Sequence, residues 1–138
     1  MITKLPEGYK PSSDEKFMNE KQSLYFHTKL MAWKDEILRE SRETLAHLQE
    51  DSQKEPDISD RASSETDWSI ELRTRDRQRK LITKIDAAIE RLKNGEYGYC
   101  EVTGEPIKLE RLEARPIAMM SLEAQEEHEK YEKVHRDT

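Results

Sequence analysis

The chain has 138 residues, of which 33% are apolar and 39% charged, and its formal net charge is −6. An ordinary globular core needs more apolar residues, whereas long solvated helices joined by a narrow apolar seam have this composition. The acidic balance argues against general nucleic-acid binding, which needs a net basic surface. Because no stretch approaches the ~20 apolar residues that span a bilayer, and because the chain has a single cysteine, we expect a cytoplasmic protein without membrane contact.

Residues 1–23 are predicted to form an N-terminal tail and a short helix that packs on a globular part. Two prolines and a glycine within the first eleven residues disrupt any periodicity there. Ser12, followed three residues later by Glu15, is a capping-box pattern. A helix is therefore expected to begin near Ser13.

Residues 24–94 are predicted to form a long antiparallel coiled-coil hairpin of two helices, with its tip near residues 50–63. Apolar residues recur every three or four positions on both sides of that break. In such a hairpin the position numbers of facing residues have a nearly constant sum, which is 115 for three apolar pairs and 116 and 117 for two others. The three pairs are Phe26 with Ile89, Leu30 with Ile85 and Trp33 with Ile82; the other two are Leu48 with Trp68 and Leu45 with Leu72.

A parallel coiled coil between two chains is the alternative to this hairpin. Its heptads would be irregular, and Pro56 would interrupt a continuous rod. The intramolecular hairpin is favoured, and we expect a monomer.

Residues 95–120 lose helical spacing and are predicted to form a small compact knuckle, in which Leu109 and Leu112 fit one helical turn. Residues 121–138 are predicted to form a C-terminal helix with Ser121 as its N-cap. The predicted fold class is therefore mainly α. The apolar residues expected to hold the knuckle together are Tyr97, Tyr99, Val102, Ile107, Leu112, Ile117 and Met120.

The break between the two long helices contains the run Asp57-Ile58-Ser59-Asp60-Arg61-Ala62. On spacing alone its two carboxylates could bind Mg²⁺, accept hydrogen bonds from a partner's arginine, or cap a helix. The capping interpretation, with Asp60 as N-cap of the second helix, is the most general of the three. From Glu71 to Lys93 eight basic residues outnumber four acidic ones, so an acidic tip precedes a basic shaft.

The run from Asp57 to Ala62 resembles the Asp-x-x-Asp-x-Ala tip motif of the DksA family, bacterial transcription factors that bind RNA polymerase. The resemblance extends from about Phe17 to the C-terminus and includes several flanking runs. These are Phe17-Met18-Asn19-Glu20, Ala32-Trp33, Glu71-Leu72-Arg73, Arg75-Asp76-Arg77, Arg79-Lys80-Leu81-Ile82, Gly98-Tyr99-Cys100-Glu101 and Arg111-Leu112-Glu113-Ala114-Arg115-Pro116.

The resemblance implies a non-enzymatic regulator whose hairpin enters the secondary channel of RNA polymerase and modulates promoter complexes, without sequence-specific DNA contact. It also implies that the alarmone ppGpp acts as a co-effector at the polymerase interface during the stringent response. The implied tip residues are Asp57, Asp60 and Ala62, and the implied polymerase and ppGpp contacts are Lys54, Arg77, Leu81 and Lys84. A further family position for phosphate contact holds Gln125, which carries no positive charge.

Typical family members hold zinc with two Cys-x-x-Cys pairs, and the resemblance places these four positions at Cys100, Thr103, Ser121 and Ala124. One thiol remains, whereas a structural zinc ion needs four ligands. We therefore expect a degenerate zinc-finger-like knuckle with no zinc and no other structural cofactor. Cys100 is expected to be a small buried residue rather than a redox sensor.

Two other functions are compatible with parts of the sequence. A transcript-cleavage factor resembling the Gre proteins also presents two acidic residues at a hairpin tip and recruits Mg²⁺ to hydrolyse RNA. A purely structural helical adaptor would account for the composition but not for the tip motif.

Overall fold

The computed structural model describes residues 4–52 and 58–136, and it describes side chains except those of residues 48, 51–64 and 136. In this part of the chain four helices follow one another: α1 (Glu20–Ser52), α2 (Ile58–Lys93), α3 (Leu109–Ala114) and α4 (Leu122–Arg136). The predicted mainly α fold class, with two long helices and a C-terminal helix, is confirmed. None of the described helices is both long and apolar enough to cross a membrane.

The chain divides into two compact units. The knuckle unit consists of Met1–Leu30 and Asp86–Thr138, and the shaft unit consists of Met31–Ile85. Each of the two long helices therefore contributes one segment to each unit.

Helix α1 begins at Glu20, later than the predicted start near Ser13. Ser12 and Glu15 do bond to each other, with Ser12 N donating to Glu15 Oε1 at 3.0 Å, but they close only an isolated turn. Met18 then adopts φ 52°, a value outside the right-handed helical region. The prediction of a helix before Glu20 is wrong for this reason, and the described residues of this segment form turns.

The shaft unit contains residues 31–52 of α1 and residues 58–85 of α2. Gln78 Nε2 lies 3.5 Å from Glu40 Oε2 on the other helix. Only residues 53–57 separate the end of α1 from the start of α2, so a contact between Glu40 and Gln78, well inside both segments, indicates an antiparallel pair. Ile37 and Ile85, which are 5% and 0% exposed, are its buried apolar residues among the described side chains.

Farther towards the connection, the described contact face of the shaft unit includes polar residues as well as the partly buried Trp68. Leu45 and Leu72 are 38% and 43% exposed, so the prediction that they are buried in the seam is wrong. The partly buried positions of α2 here include Glu71 and Arg75. Because Glu71 and Arg75 are four residues apart, both lie on the side of α2 that faces α1. Leu72 is one position away from that side.

The core of the knuckle unit joins both long helices to the knuckle. Phe26 and Leu30 of α1 are fully buried, and the Phe26 ring centroid lies 5.5 Å from that of Tyr97. Burial of each large apolar side chain of this kind contributes about 2 kcal/mol. The remaining buried apolar residues of this unit are Ala88, Ile89, Cys100, Ile107, Leu112, Ala118 and Ala124.

The knuckle starts where α2 stops. Gly95 takes φ 74°, and Glu96 N donates to Arg91 O at 2.8 Å, which closes the last turn of the helix. Tyr99 and Pro106 then form an isolated antiparallel bridge. Two backbone hydrogen bonds flank this bridge, from Cys100 N to Glu105 O at 2.8 Å and from Ile107 N to Gly98 O at 2.7 Å.

The predicted knuckle core is only partly right. Tyr97, Ile107 and Leu112 are buried, whereas Val102 is 66% exposed. Val102 lies in the tight turn that Gly104 N closes by donating to Cys100 O at 2.8 Å. A side chain in the middle of such a turn projects away from the core.

Candidate functional sites in the shaft and the knuckle

The acidic motif lies at the junction of the two long helices. Lys54 and Asp57 are outside the described residues, so their predicted contacts stay predictions. Asp60 and Ala62 lie within α2, which begins at Ile58. The interpretation of Asp60 as an N-cap is wrong, since an N-cap residue precedes the first helical residue. An acidic residue in the first turn still stabilises the positive end of the helix dipole.

A basic stripe, defined here as Arg73, Arg77, Lys80 and Lys84, runs along α2 in the shaft unit. All four residues are exposed. Their spacing of four, three and four residues places them on one side of the helix. Two of the four, Arg77 and Lys84, are among the predicted polymerase and ppGpp contacts.

The predicted contact residue Leu81 lies between Arg77 and Lys84 on the same side of α2 and is partly buried. Seven residues of helix separate the two basic residues, which corresponds to about 10 Å along the axis. Two cations at this separation suit an extended anion or a row of acidic side chains, and the guanidinium group of Arg77 can bind a phosphate in bidentate fashion.

The remaining family position for phosphate contact is on α4 in the knuckle unit. Gln125 is partly buried there, and its Nε2 donates a hydrogen bond to Glu129 Oε1 at 3.0 Å. The amide is thus paired with an acidic side chain of its own helix. This position supplies no cation to a phosphate group.

The four positions that correspond to zinc ligands meet in the knuckle unit. Thr103, Ser121 and Ala124 line one cavity of about 750 Å³. Cys100 is 2% exposed, as expected for a small buried residue. Burial raises the pKa of the Cys100 thiol, but hydrogen bonds from the Thr103 hydroxyl and from the backbone of Ser121, Thr103 and Val102 outweigh burial and lower the pKa from 9.0 to about 6.

The donor groups at these positions do not fit a zinc site with four ligands. Thr103 Oγ1 accepts a hydrogen bond from Glu105 N at 3.2 Å, and Ser121 Oγ accepts one from Ala124 N at 3.2 Å. Ala124 has no donor atom in its side chain, so Cys100 is the only thiolate donor of the four. Among the described residues, no group of three or more His, Cys, Asp or Glu side chains could hold a metal ion.

The hydrogen bonds of Ser121 and Thr103 have structural roles. Ser121 is the N-cap of α4, as predicted, because its hydroxyl satisfies a backbone N–H in the first turn of the helix. Thr103 stabilises the turn that presents backbone groups to Cys100. The knuckle is thus closed by hydrogen bonds at positions where family members place thiolates.

Apolar periodicity does not identify the buried Gln22, which joins the N-terminal turns to α1. Gln22 is 0% exposed; its Oε1 accepts from Met18 N at 2.8 Å, and its Nε2 donates to Ser12 O at 3.2 Å. Gln22 N donates to Asn19 Oδ1 at 2.8 Å, so Asn19 caps α1. The spacing of Asn19 and Gln22 matches a capping box and was the available signal.

A second missed contact joins α1 to α3 in the knuckle unit. Tyr25 donates a hydrogen bond from its hydroxyl to Glu113 Oε1. Lys29 Nζ lies 3.2 Å from the same oxygen and 2.9 Å from Glu113 O. Burial and the bond to Glu113 raise the pKa of Tyr25 to about 12, so this hydroxyl keeps its proton at neutral pH.

Two family profiles together match most of the chain. The profile of the N-terminal domain of the DnaK suppressor protein DksA matches residues 22–92, and the profile of the prokaryotic dksA/traR C4-type zinc finger matches residues 95–130. The chain belongs to the DksA family. The zinc-finger profile matches even though the family's four thiols are reduced here to Cys100.

Relatives within the DksA family have similar length and fold. The RNA polymerase-binding transcription factor DksA of Caulobacter vibrioides is 67% identical over 129 residues, which are 94% of this chain and 91% of the relative. The protein of the same name from Escherichia coli K12 is 40% identical over 85% of this chain and 78% of its own length. The structure of transcription factor DksA2 from Pseudomonas aeruginosa is similar with a TM-score of 0.80 and 37% identity, covering 89% of this chain and 93% of that chain.

Proposed function

We propose that this protein is a non-catalytic regulator of transcription that binds RNA polymerase directly. The observation that carries the proposal is the match to polymerase-binding DksA proteins along both long helices and the knuckle. The acidic motif lies between the end of α1 at Ser52 and the early turns of α2, where a hairpin tip has to be. In this proposal the tip residues Asp57, Asp60 and Ala62 enter the secondary channel and modulate promoter complexes.

The basic stripe supports a role for the shaft unit in this interaction. Its exposed cations can pair with acidic groups at the polymerase surface, and Arg77 with Lys84 can hold the phosphates of ppGpp. Leu81 supplies an apolar contact between them, and Lys54 belongs to the same proposed surface. Because Gln125 offers no charge in α4, we propose that the shaft residues bear most of the phosphate contact from this chain.

The experiment is promoter-specific transcription with purified polymerase, with and without ppGpp, comparing wild type with Asp60→Asn. This substitution removes one negative charge and keeps the shape of the side chain. We expect wild type to change transcription from a ribosomal promoter and Asp60→Asn to lose most of this effect. Both proteins should still bind polymerase, since the shaft is unchanged. The function is refuted if wild type neither binds polymerase nor alters initiation.

A stalled elongation complex separates this function from transcript cleavage. A cleavage factor shortens the nascent RNA when Mg²⁺ and the protein are present, whereas the proposed regulator leaves the RNA at its original length. A structural adaptor predicts that Asp60→Asn retains every effect on transcription. Arg77→Ala provides a separate test of the shaft, because it should weaken polymerase binding or the ppGpp response without altering the tip.

We also propose that the knuckle folds without zinc. The support is the hydrogen bonds of the Thr103 and Ser121 hydroxyls, those made to the Cys100 sulfur, and the buried core residues Tyr97, Ile107 and Leu112. Elemental analysis should find no stoichiometric zinc in purified protein, and a chelator should leave its thermal midpoint unchanged. One zinc ion per chain, lost together with stability on chelation, would contradict this proposal.

A further inference from the structure

In the middle of the shaft unit, polar side chains occupy the face of α2 that carries buried apolar residues such as Ile85 farther along the helix. Glu71, Arg75 and Gln78 follow one another at intervals of four and three residues, so they lie on one face of α2. All three are partly buried. The partly buried residues of α1 in the same stretch are Ser41 and Thr44, so both helices are polar there.

The three α2 side chains each bury an atom that makes no hydrogen bond. These atoms are Glu71 Oε2, Arg75 Nε and Gln78 Oε1, and none has a partner among the residues that the structure describes. A buried polar atom without a partner has lost its bonds to water and gained none in return. The folded form of this stretch is therefore destabilised relative to a stretch with apolar side chains.

Among the side chains described between the polar face and the helix connection, Trp68 is partly buried, whereas three other large apolar residues are exposed. Leu45 is 38% exposed, Ile70 is 56% exposed and Leu72 is 43% exposed. On the other side of the polar face, Ile37 and Ile85 are buried, at 5% and 0% exposure. Among the described side chains of the shaft unit, the buried apolar residues therefore lie on the side of the polar face away from the helix connection.

We propose that Glu71, Arg75 and Gln78 form a polar break at which residues 42–50 of α1 and 65–74 of α2 open locally, while the part around Ile37 and Ile85 stays folded. Local opening proceeds in contiguous segments, and segments with few buried apolar contacts open most readily. Opening lets water reach the three unpartnered atoms. The polar break is a conformational device in the free protein and does not depend on the proposed function.

Native-state amide hydrogen exchange, resolved by residue, tests the polar break. In wild type we expect amides of residues 42–50 and 65–74 to exchange at least tenfold faster than those of residues 33–38 and 80–88. Arg75→Met removes the buried N–H, keeps a long unbranched side chain and has nearly the same helix propensity. We expect it to slow exchange at the first set about tenfold, equivalent to about 1.4 kcal/mol, and to leave the second set unchanged.

Arg73→Met is the matched control. It removes the same charge two residues away, but Arg73 is exposed and belongs to the basic stripe. Amide exchange in this variant should equal that of wild type. An effect seen only in Arg75→Met then comes from the buried position and not from the loss of a positive charge. The inference is overturned if wild type exchanges uniformly along the shaft. It is also overturned if Arg75→Met leaves exchange unchanged or accelerates it, or if the two substitutions have equal effects.

Discussion

Gly98→Ala, which adds a single methyl group, tests how closely the N-terminal turns pack against the knuckle. Its φ is +90°, and a Cβ atom there would lie 3.0 Å from Met18 Cγ and 3.1 Å from Phe17 Cζ. Gly98→Ala therefore combines backbone strain with steric overlap. Strain at such a φ value costs about 1–3 kcal/mol, and overpacking of a tight core costs about 1–3 kcal/mol more.

Gly104→Ala separates these two contributions. Gly104 has a similar φ of +76°, but a Cβ atom there would meet nothing within 4 Å. This variant should therefore lose only the part that comes from backbone strain. The difference between the two variants, about 1–3 kcal/mol, measures the contact with Phe17 and Met18.

Urea unfolding at equilibrium, followed by circular dichroism, gives the free energy of unfolding for both variants, and thermal melts provide a second estimate. For a chain of this size about 1 kcal/mol corresponds to roughly 4 °C in the midpoint. Gly98→Ala should thus melt about 4–12 °C below Gly104→Ala. Combining Gly98→Ala with Met18→Ala should restore part of the loss. Equal destabilisation by the two glycine substitutions would refute the close packing.

Glu15→Gln should destabilise the protein at neutral pH, because the bond from the Tyr9 hydroxyl holds the pKa of the Glu15 carboxyl below its usual 4.5. The stabilisation by a carboxyl with a lowered pKa is present above pH 4.5 and is lost as the pH falls through the folded-state pKa. The urea midpoints of wild type and Glu15→Gln should therefore converge in acid. A difference that stays constant with pH would contradict this. Ser121→Ala removes the N-cap bond to Ala124 N and should cost about 1 kcal/mol. Ser13→Ala, at an exposed position outside any helix, is its control in the same unfolding assay, and equal losses would refute the capping role.

The ends of several helices could be predicted because local chemistry determines them. Gly95 terminates α2 close to the expected position, and Ser121 caps α4. The start of α1 was mispredicted because two capping patterns follow one another, and only Asn19 with Gln22 leads into a helix. The positive φ of Met18 that separates them leaves no trace in the residue type.

The site could be predicted in part. The basic residues Arg77 and Lys84 are exposed on one side of α2, as their spacing indicates. The burial of Gln22 and the pairing of Tyr25 with Glu113 arise from packing between segments far apart in sequence, which periodicity does not reveal. The apolar type and spacing of Leu45 and Leu72 predict a place in the seam, but both residues are exposed because the polar face lies one position away.

The division of the chain into two units has a consequence for the order of folding. The shaft unit consists of the continuous segment Met31–Ile85, whereas the knuckle unit needs Met1–Leu30 together with Asp86–Thr138. Its bonds from Tyr25 and Lys29 to Glu113 join residues 88 and 84 positions apart. Closing such distant contacts is slow compared with forming a local helical pair. During synthesis the whole shaft is available for folding while the first thirty residues still lack the partner segment that buries Phe26 and Leu30.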